Sequence, residues 1–517
     1  MLKLVLGASG SGKTTLLYAR IRARAEAGKR SILLVPEQFT SSTEARIYRE
    51  LGDALSGMVE SYSFTSLAEH ILAVEGGAAV QTLTDAGRAV LVRRALEELQ
   101  DNVHYYYRHR RSAAFCQMAA ETIDELKSAG LSGQQLQELA RDCGTESAKL
   151  GELALIFQGY ESLLAGTGMD PADRLELAAD RLEAALARDE LPDFLREREV
   201  FIDEFDTFNA PKKRLMGAML AALPAVTVAL CEDGAPMQPG DLELFSGAKQ
   251  VAAQLRQLAR KNGAQVAAPE LRRRDLRHKD APGLAALTEL LETGSCTPPE
   301  SAPELRLFAA ASREEEARCA AAAIRRLMRQ GVRCGKIAVV CRDISLYRAA
   351  VRYEFRMAEI PLYCDEPTTP EFSAPATAVR ALLALLRGAD MTEQLTVLAK
   401  TGLCDLTEPE VCALENYAYT WSPNAAAWRA EFTKSPRGFG DAELTEEDTL
   451  NLTRAENARK KLVTAVDTLR SKVRSANAEQ ISRALYFCLK ELGAEGQQAA
   501  QVEDIRAARG IPAAEEA

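Results

Sequence analysis

The sequence predicts an α/β fold: a parallel-sheet domain interrupted by a helical insertion, then a second, incomplete α/β domain and a helical region. A glycine-rich octapeptide, Gly7 to Thr14, lies between the apolar run Leu2 to Leu6 and a helix-like stretch. A second apolar run, Val200 to Ile202, ends in two acids. Apolar residues at three- and four-residue spacing fill the interval between them. Strands that alternate with helices indicate a parallel sheet with crossover helices.

The octapeptide reads G-A-S-G-S-G-K-T, the pattern of a phosphate-binding loop in its strand-turn-helix setting. Glycines allow backbone N–H groups to converge on phosphates, and the helix N-terminus adds partial positive charge. Lys13 is expected to neutralise the outer phosphates of ATP, and the Thr14 hydroxyl to bind Mg²⁺. The predicted nucleotide-binding residues are Gly7, Ala8, Ser9, Gly10, Ser11, Gly12, Lys13, Thr14 and Thr15.

The acids after the second apolar run are Asp203 and Glu204. Phosphate cleavage needs a carboxylate that holds Mg²⁺ and a second group that orients water, and the end of a buried strand can supply both. Asp203 is therefore predicted as a metal ligand beside Thr14. Glu204 is predicted to face the γ-phosphate and, with Lys13, to be catalytic.

Four regions follow from the changes in pattern. Residues 1–75 and 197–292 are predicted to form the first domain, and residues 76–196 the helical insertion. Residues 304–374 are predicted to begin a second α/β domain, with strands at Leu305–Ala309, Ile337–Val340 and Pro361–Cys364. A breaker-rich linker separates the two domains, and residues 375–517 are predicted to be helical.

Composition narrows the class of protein. With 517 residues, 47% of them hydrophobic and 27% charged, the chain is typical of a soluble globular protein of about three domains. We predict a cytoplasmic protein with no membrane partner. Eleven cysteines without a C-x-x-C pair argue against disulfides or a zinc ribbon.

The run from Arg272 to Lys279 is interpreted as a solvated charged face. The lesser alternative is an electrostatic contact of this run with DNA or with a partner subunit.

A large helical insertion between the two motifs is the layout of a superfamily 1 helicase, whose motor domains are RecA-like. Phe39 and Thr40 follow the second strand, and Ser63 and Phe64 occupy the next such position. Rings stack on bases, and hydroxyls bond phosphates. We therefore predict single-stranded DNA contacts at Phe39, Thr40, Ser63 and Phe64, with core packing as the alternative for the two phenylalanines.

Five segments together resemble the AddB family, the B subunits of the bacterial ATP-dependent helicase/deoxyribonuclease. They read G-A-S-G-S-G-K-T, L-V-P-E-Q-F-T, S-Y-S-F-T-S-L-A, F-I-D-E-F-D-T-F and I-A-V-V-C-R-D-I-S-L-Y, and the similarity runs from Met1 to about Gly493. The resemblance implies a larger AddA partner and work on double-strand DNA ends in recombinational repair. It also implies a nuclease domain with an iron–sulfur cluster in full-length members, but not in these residues.

The expected function is that of an AddB-type N-terminal part that binds ATP, Mg²⁺ and single-stranded DNA. Because the second motor domain looks incomplete, we expect this chain alone to show weak or no ATPase activity. One alternative is a DNA-scanning scaffold that does not hydrolyse ATP, and another is an unrelated P-loop kinase or transport ATPase.

Overall fold

The computed structural model describes residues 1–77, 81–235, 244–364, 373–440 and 443–509. The chain divides into two compact units, Met1–Phe308 and Ala309–Ala517, and each unit is described by itself. The boundary lies just after the breaker-rich segment that the sequence marks as a linker.

The first unit is built on a sheet of six strands formed by the described residues. The strands are β1 (Leu2–Gly7), β2 (Ser31–Leu34), β3 (Val59–Tyr62), β4 (Glu199–Ile202), β5 (Ala225–Cys231) and β6 (Glu270–Arg272). Their order is β3-β2-β4-β5-β1-β6, and every pairing is parallel. The carboxyl ends of all the strands therefore lie along one edge, where ligands bind in open parallel sheets.

Twelve helices are formed by the described residues of the first unit. They are α1 (Lys13–Glu26), α2 (Thr40–Leu51), α3 (Asp53–Ser56), α4 (Phe64–Glu75), α5 (Asp85–Glu98), α6 (Ala113–Ser128), α7 (Gly133–Arg141), α8 (Ser147–Leu164), α9 (Pro171–Ala187), α10 (Ala210–Ala222), α11 (Ser246–Lys261) and α12 (Pro282–Thr293). Short 3-10 turns lie at Glu37–Phe39, Tyr107–His109 and Gly144–Glu146.

Helices cover both faces of the sheet. Successive side chains of a strand point to opposite faces, and because both sets are apolar here, both faces must be buried. In β1, Leu4 and Leu6 pack with α4, α9, α10 and α11, whereas Val5 packs on the other face with Leu17 and Ile21 of α1. In β4, Ile202 and Phe201 divide between the same two layers. Burial on both faces explains why these strands read as continuous apolar runs.

The predicted helical insertion forms helices α5 to α9. Residues between Leu91 and Leu164 share a core of their own, in which Phe157 and Tyr160 are almost fully buried. In contrast, α9 packs against α4 and α10 and contributes Leu175 and Leu182 to the core of the sheet domain. The last helix of the insertion therefore belongs physically to the sheet layer.

The second unit consists of helices among its described residues. They are α13 (Arg313–Arg329), α14 (Ile344–Met357), α15 (Ala374–Leu386), α16 (Met391–Lys400), α17 (Glu408–Trp421), α18 (Ala425–Arg429), α19 (Glu446–Val473), α20 (Ala478–Leu492) and α21 (Ala494–Arg509). A 3-10 turn lies at Cys334–Lys336. Helices α15 to α20 enclose one apolar core around Leu414 and Trp428, and α13 packs with α14 through Ile324 and Phe355.

The three strands predicted between 304 and 374 are not formed in the described residues, and this prediction is corrected. The segments between them form helices α13 and α14. Leu307, Val340 and Tyr363, one in each segment, are 98%, 90% and 88% exposed. A strand requires a neighbouring backbone to satisfy its N–H and C=O groups, and these segments have no strand partner among the described residues.

No helix in the described ranges combines the length and the apolar character that crossing a lipid bilayer requires.

Candidate nucleotide-binding site

The glycine-rich turn connects the end of β1 at Gly7 to the start of α1 at Lys13. Gly10 and Gly12 have φ angles of 79° and 83°, a left-handed backbone that glycine adopts at little cost. The Lys13 Nζ atom donates hydrogen bonds of 2.7 and 2.9 Å to the carbonyl oxygens of Gly7 and Ala8. The ammonium group therefore reaches back across the first half of the loop.

A pocket of about 510 Å³ opens above this turn at the carboxyl edge of the sheet. It brings Lys13 and Thr14 together with Asp203 and Glu204, although the two pairs lie far apart in the chain. Its lining is Ser9, Gly10, Gly12, Lys13, Thr14, Thr15, Arg46, Asp203, Glu204, Phe205, Asp206, Ala229, Cys231, Leu276 and Arg277. β5 lies between β1 and β4 in the sheet, so the loop and the acids face each other across one strand.

Asp203 is the first residue after β4 and is 5% exposed. Its backbone N–H donates to the Leu34 carbonyl oxygen at 3.1 Å, and its Oδ1 accepts from the Glu204 N–H at 3.0 Å. Burial raises the pKa of Asp203, while a hydrogen bond from the Thr14 side chain and the charge of Lys13 act in the opposite direction. The buried Asp203 carboxylate and the Thr14 hydroxyl are oxygen groups that could bind a cation, and Lys13 adds positive charge beside them.

Glu204 adopts a φ angle of 65°, in the left-handed region that non-glycine residues rarely enter. Its side chain is exposed and lines the pocket next to Asp203. Partial desolvation of its carboxyl group by the neighbouring pocket residues raises the pKa of Glu204, the Asp203 charge raises it further, and the Arg46 charge acts in the opposite direction. Rare backbone geometry of this kind is concentrated at functional sites.

Arg46, on α2, is a pocket residue that sequence reasoning missed. Its guanidinium lies 4.7 Å from the centre of the Tyr18 ring, which is buried. Burial raises the pKa of both Asp203 and Glu204, and the positive charge of Arg46 partly offsets that rise. The sequence shows only an arginine in the helix after the second strand. Arginines are common on solvated helices, so this residue gave no signal of a pocket.

The structure corrects the interpretation of the run Arg272 to Lys279, because part of this run packs on the glycine-rich loop and does not form only a solvated face. β6 pairs with β1 so that Arg272 lies opposite Gly7. The Leu276 N–H donates to the Gly10 carbonyl oxygen at 3.0 Å. Arg277 Nη1 donates to the Ser9 hydroxyl at 3.2 Å. A run of charges in the sequence carries no signal for such a contact.

The residues at this site fit a Mg²⁺-bound triphosphate. Thr14 and Asp203 supply hard oxygen donors, and Mg²⁺ is usually held by one or two carboxylates together with phosphates and water. The Ser11 hydroxyl oxygen is buried and has no hydrogen-bond partner within the described part of the chain. No cluster of three or more His, Cys, Asp or Glu side chains suited to a metal occurs in the described residues, so the protein itself would supply few ligands.

The four predicted DNA-contact residues have different environments. Phe39 is 36% exposed, whereas the Thr40 hydroxyl already donates to the Glu37 carbonyl oxygen at 3.0 Å. Ser63 is buried and forms a capping box with Ser66 at the start of α4. A cavity of about 230 Å³ lies between residues 35–38, which precede Phe39, and residues 63–65, and Phe205 and Lys212 complete its lining. Phe39 and Thr40 themselves are not among the residues that line it.

Phe64 requires a correction, because its ring offers no free face for a base. It is 2% exposed and packs edge to face on Phe205 and Phe208, with centroids 5.2 and 6.0 Å away. The core alternative therefore describes Phe64 in this structure. The hydrophobic residue at the first position of α4 fills the space between the sheet and α10.

An all-parallel sheet covered by helices on both faces, with a glycine-rich loop at its carboxyl edge, fits the RecA-like α/β class. The family model described as "ADDB, N-terminal" matches residues 4–288. The chain belongs to this family.

Individual relatives agree with that assignment. The B subunit of the ATP-dependent helicase/deoxyribonuclease from Moorella thermoacetica is 30% identical over 539 residues, which cover 100% of this chain and 46% of that protein. The protein of the same name from Desulforudis audaxviator is 29% identical over 525 residues, which cover 96% and 44%. The chain thus spans less than half the length of these curated relatives.

Proposed function

We propose that this chain is the N-terminal, helicase-like part of an AddB-type subunit, which binds ATP with Mg²⁺ and contacts single-stranded DNA. The observation that carries the proposal is the single pocket shared by Lys13, Thr14, Asp203 and Glu204. Membership in the family supports it, as does the name of the relatives, which describes one subunit of an ATP-dependent helicase/deoxyribonuclease.

Each pocket residue has a role in this proposal. The loop N–H groups and the N-terminus of α1 bind the phosphates, and Lys13 neutralises the outer ones. Thr14 and Asp203 would hold Mg²⁺, which when bound offsets the charge of the triphosphate. Glu204 accepts a hydrogen bond from the attacking water, and its raised pKa suits a group that takes up a proton.

DNA contact is assigned to the surface beside the cavity between the two predicted segments. Phe39 supplies an exposed ring for stacking, and Lys212 supplies positive charge next to Phe205 and Phe64. Phe205 lines both this cavity and the nucleotide pocket. The DNA contact and the nucleotide contact would therefore be linked through Phe205, two residues after Asp203.

The wider biological role rests on the relatives. We propose an AddA-type partner, DNA ends as the substrate, a role in recombinational repair and a cytoplasmic location. The domain boundaries predicted from sequence also remain proposals, as does the iron–sulfur cluster that the family resemblance implies outside these residues. A scaffold that binds ATP without hydrolysing it is the alternative, and the exposed, strained Glu204 is the residue that separates the two.

The direct test is nucleotide binding and turnover by the 517-residue chain. We expect ATP binding that requires Lys13, and hydrolysis that is weak or below detection even with single-stranded DNA. Strong DNA-stimulated hydrolysis that Lys13→Ala abolishes would show that this chain is a self-sufficient ATPase. A chain that binds neither ATP nor ADP would contradict the proposal.

A further inference from the structure

We infer that Arg277 is a ligand of the terminal phosphate of the nucleotide, delivered by the same domain that carries the phosphate loop. The inference rests on the proposed function and deepens it. Residues 272–278, here called the basic segment, begin at the last residue of β6. The family name and the sequence motifs assign this segment no role.

The basic segment is fixed to the loop at three points. β6 pairs with β1 up to the register of Arg272 with Gly7. The Leu276 N–H bonds the Gly10 carbonyl oxygen, and a Cβ atom at Gly12 would lie 3.0 Å from Leu276 Cδ1. The segment and the loop therefore form one packed structure.

The segment also has its own internal brace. Asp275 Oδ1 accepts from the N–H groups of Arg277 and His278 at 2.9 and 3.2 Å, and Oδ2 lies 2.9 Å from His278 Nδ1. An aspartate that bonds the N–H groups two and three residues ahead forms a tight turn. This turn holds the Arg277 backbone next to the loop.

The position of Lys13 shows which phosphate Arg277 would meet. The Lys13 ammonium, which in such loops accompanies the outer phosphates, lies on the carbonyl oxygens of Gly7 and Ala8. Arg277 bonds the next residue, Ser9, and both cations line the same pocket. The terminal phosphate would therefore lie between the Lys13 ammonium and the Arg277 guanidinium.

The chemistry of arginine suits this place. Its guanidinium stays charged and presents a planar set of donors that matches phosphate oxygens. Arginines supplied in cis or in trans stabilise the terminal phosphate in phosphoryl transfer. The Ser9 hydroxyl is a neutral partner on the surface, and a phosphate oxygen is a stronger acceptor for the same donor.

The test compares a triphosphate with a diphosphate by calorimetry on the 517-residue chain with Mg²⁺. The probes are AMP-PNP, which carries three phosphates and resists hydrolysis, and ADP. We expect Arg277→Ala to weaken AMP-PNP binding at least about tenfold and ADP binding less than about threefold, because the charge-assisted hydrogen bond that is lost is made to the terminal phosphate alone. Arg277→Lys should restore part of the affinity for AMP-PNP.

Arg273→Ala is the matched control, because Arg273 is exposed, lies in the same segment and does not line the pocket. It should bind both nucleotides as the unchanged chain does. Arg277→Ala that binds AMP-PNP normally, or that loses AMP-PNP and ADP equally, would overturn the inference, and equal loss would mean that Arg277 only braces the loop. Failure of the unchanged chain to bind either nucleotide would instead refute the proposed function itself.

Discussion

The Arg277 guanidinium donates a hydrogen bond to the Ser9 hydroxyl, joining two residues 268 positions apart at the rim of the pocket above the glycine-rich loop. The contact exists because β6 adds to the sheet next to β1, so the segments that follow both strands emerge side by side. Parallel pairing thus brings the glycine-rich loop, the acids after β4 and the basic segment together at one edge of the sheet.

Lys13→Ala should abolish most nucleotide binding. We expect a loss of about 100-fold in affinity for ATP and ADP, since charged hydrogen bonds contribute roughly 1.5–3 kcal/mol. Fluorescence titration with a labelled nucleotide measures this. Lys29→Ala, which removes an exposed lysine beyond α1, serves as the control. Unchanged binding by Lys13→Ala would place the nucleotide elsewhere.

Asp203→Asn should stabilise the nucleotide-free protein at neutral pH. Burial raises the pKa of Asp203 in the folded state, so its ionised form disfavours folding. The favourable contribution of the protonated form is present below the ordinary pKa of aspartate and is lost as pH rises through the folded pKa. The amide variant should therefore melt at a higher temperature than the unchanged chain at pH 7, and this difference should shrink towards pH 3.

Thermal melts across pH 3 to 8 check this effect, with the exposed Asp101→Asn as control. The same Asp203→Asn variant should lose the added stability that Mg²⁺ with ATP gives the unchanged chain. Equal melting temperatures at pH 7 would contradict the destabilising effect of the ionised carboxylate, and full retention of the Mg²⁺ effect would argue against Asp203 as the metal ligand.

Glu204→Gln should separate binding from turnover. The amide keeps the size of the side chain but cannot accept a proton, so AMP-PNP affinity should stay within about threefold, while any weak hydrolysis that the unchanged chain shows should fall by about 100-fold or to the background rate. Single-turnover assays with radiolabelled ATP detect slow hydrolysis. Equal, measurable hydrolysis by both chains would exclude Glu204 as the base.

Phe64→Ala should lower stability, whereas Phe39→Ala should weaken DNA binding. Phe64 is buried among aromatic rings, so its truncation should lower the free energy of unfolding by about 3–5 kcal/mol. Phe39 is exposed, so its truncation should change stability by less than about 0.5 kcal/mol but weaken single-stranded oligonucleotide binding by roughly 1–3 kcal/mol. Denaturant melts and fluorescence anisotropy measure the two effects. Normal DNA binding by a folded Phe39→Ala chain would remove this residue from the proposed interface.

Local sequence was sufficient for the parts of the fold that depend on neighbouring residues. The glycines at Gly10 and Gly12, the start of α1 at Lys13 and the apolar strand before Asp203 follow from backbone freedom and periodicity. The parallel sheet was likewise predictable from alternating strands and helices. Family resemblance rested on the same short segments, and the match over residues 4–288 agrees with it.

Features that depend on contacts distant in sequence were decided only by the tertiary structure. The buried Phe64 ring, the orientation of Arg46 over Tyr18 and the docking of Arg277 on Ser9 all require elements brought together by strand order. The same reason explains the strands predicted around Leu307 and Val340 that are not formed, since an apolar run becomes a strand only beside another backbone. Periodicity reports which side of an element prefers to be buried, but packing determines its neighbour.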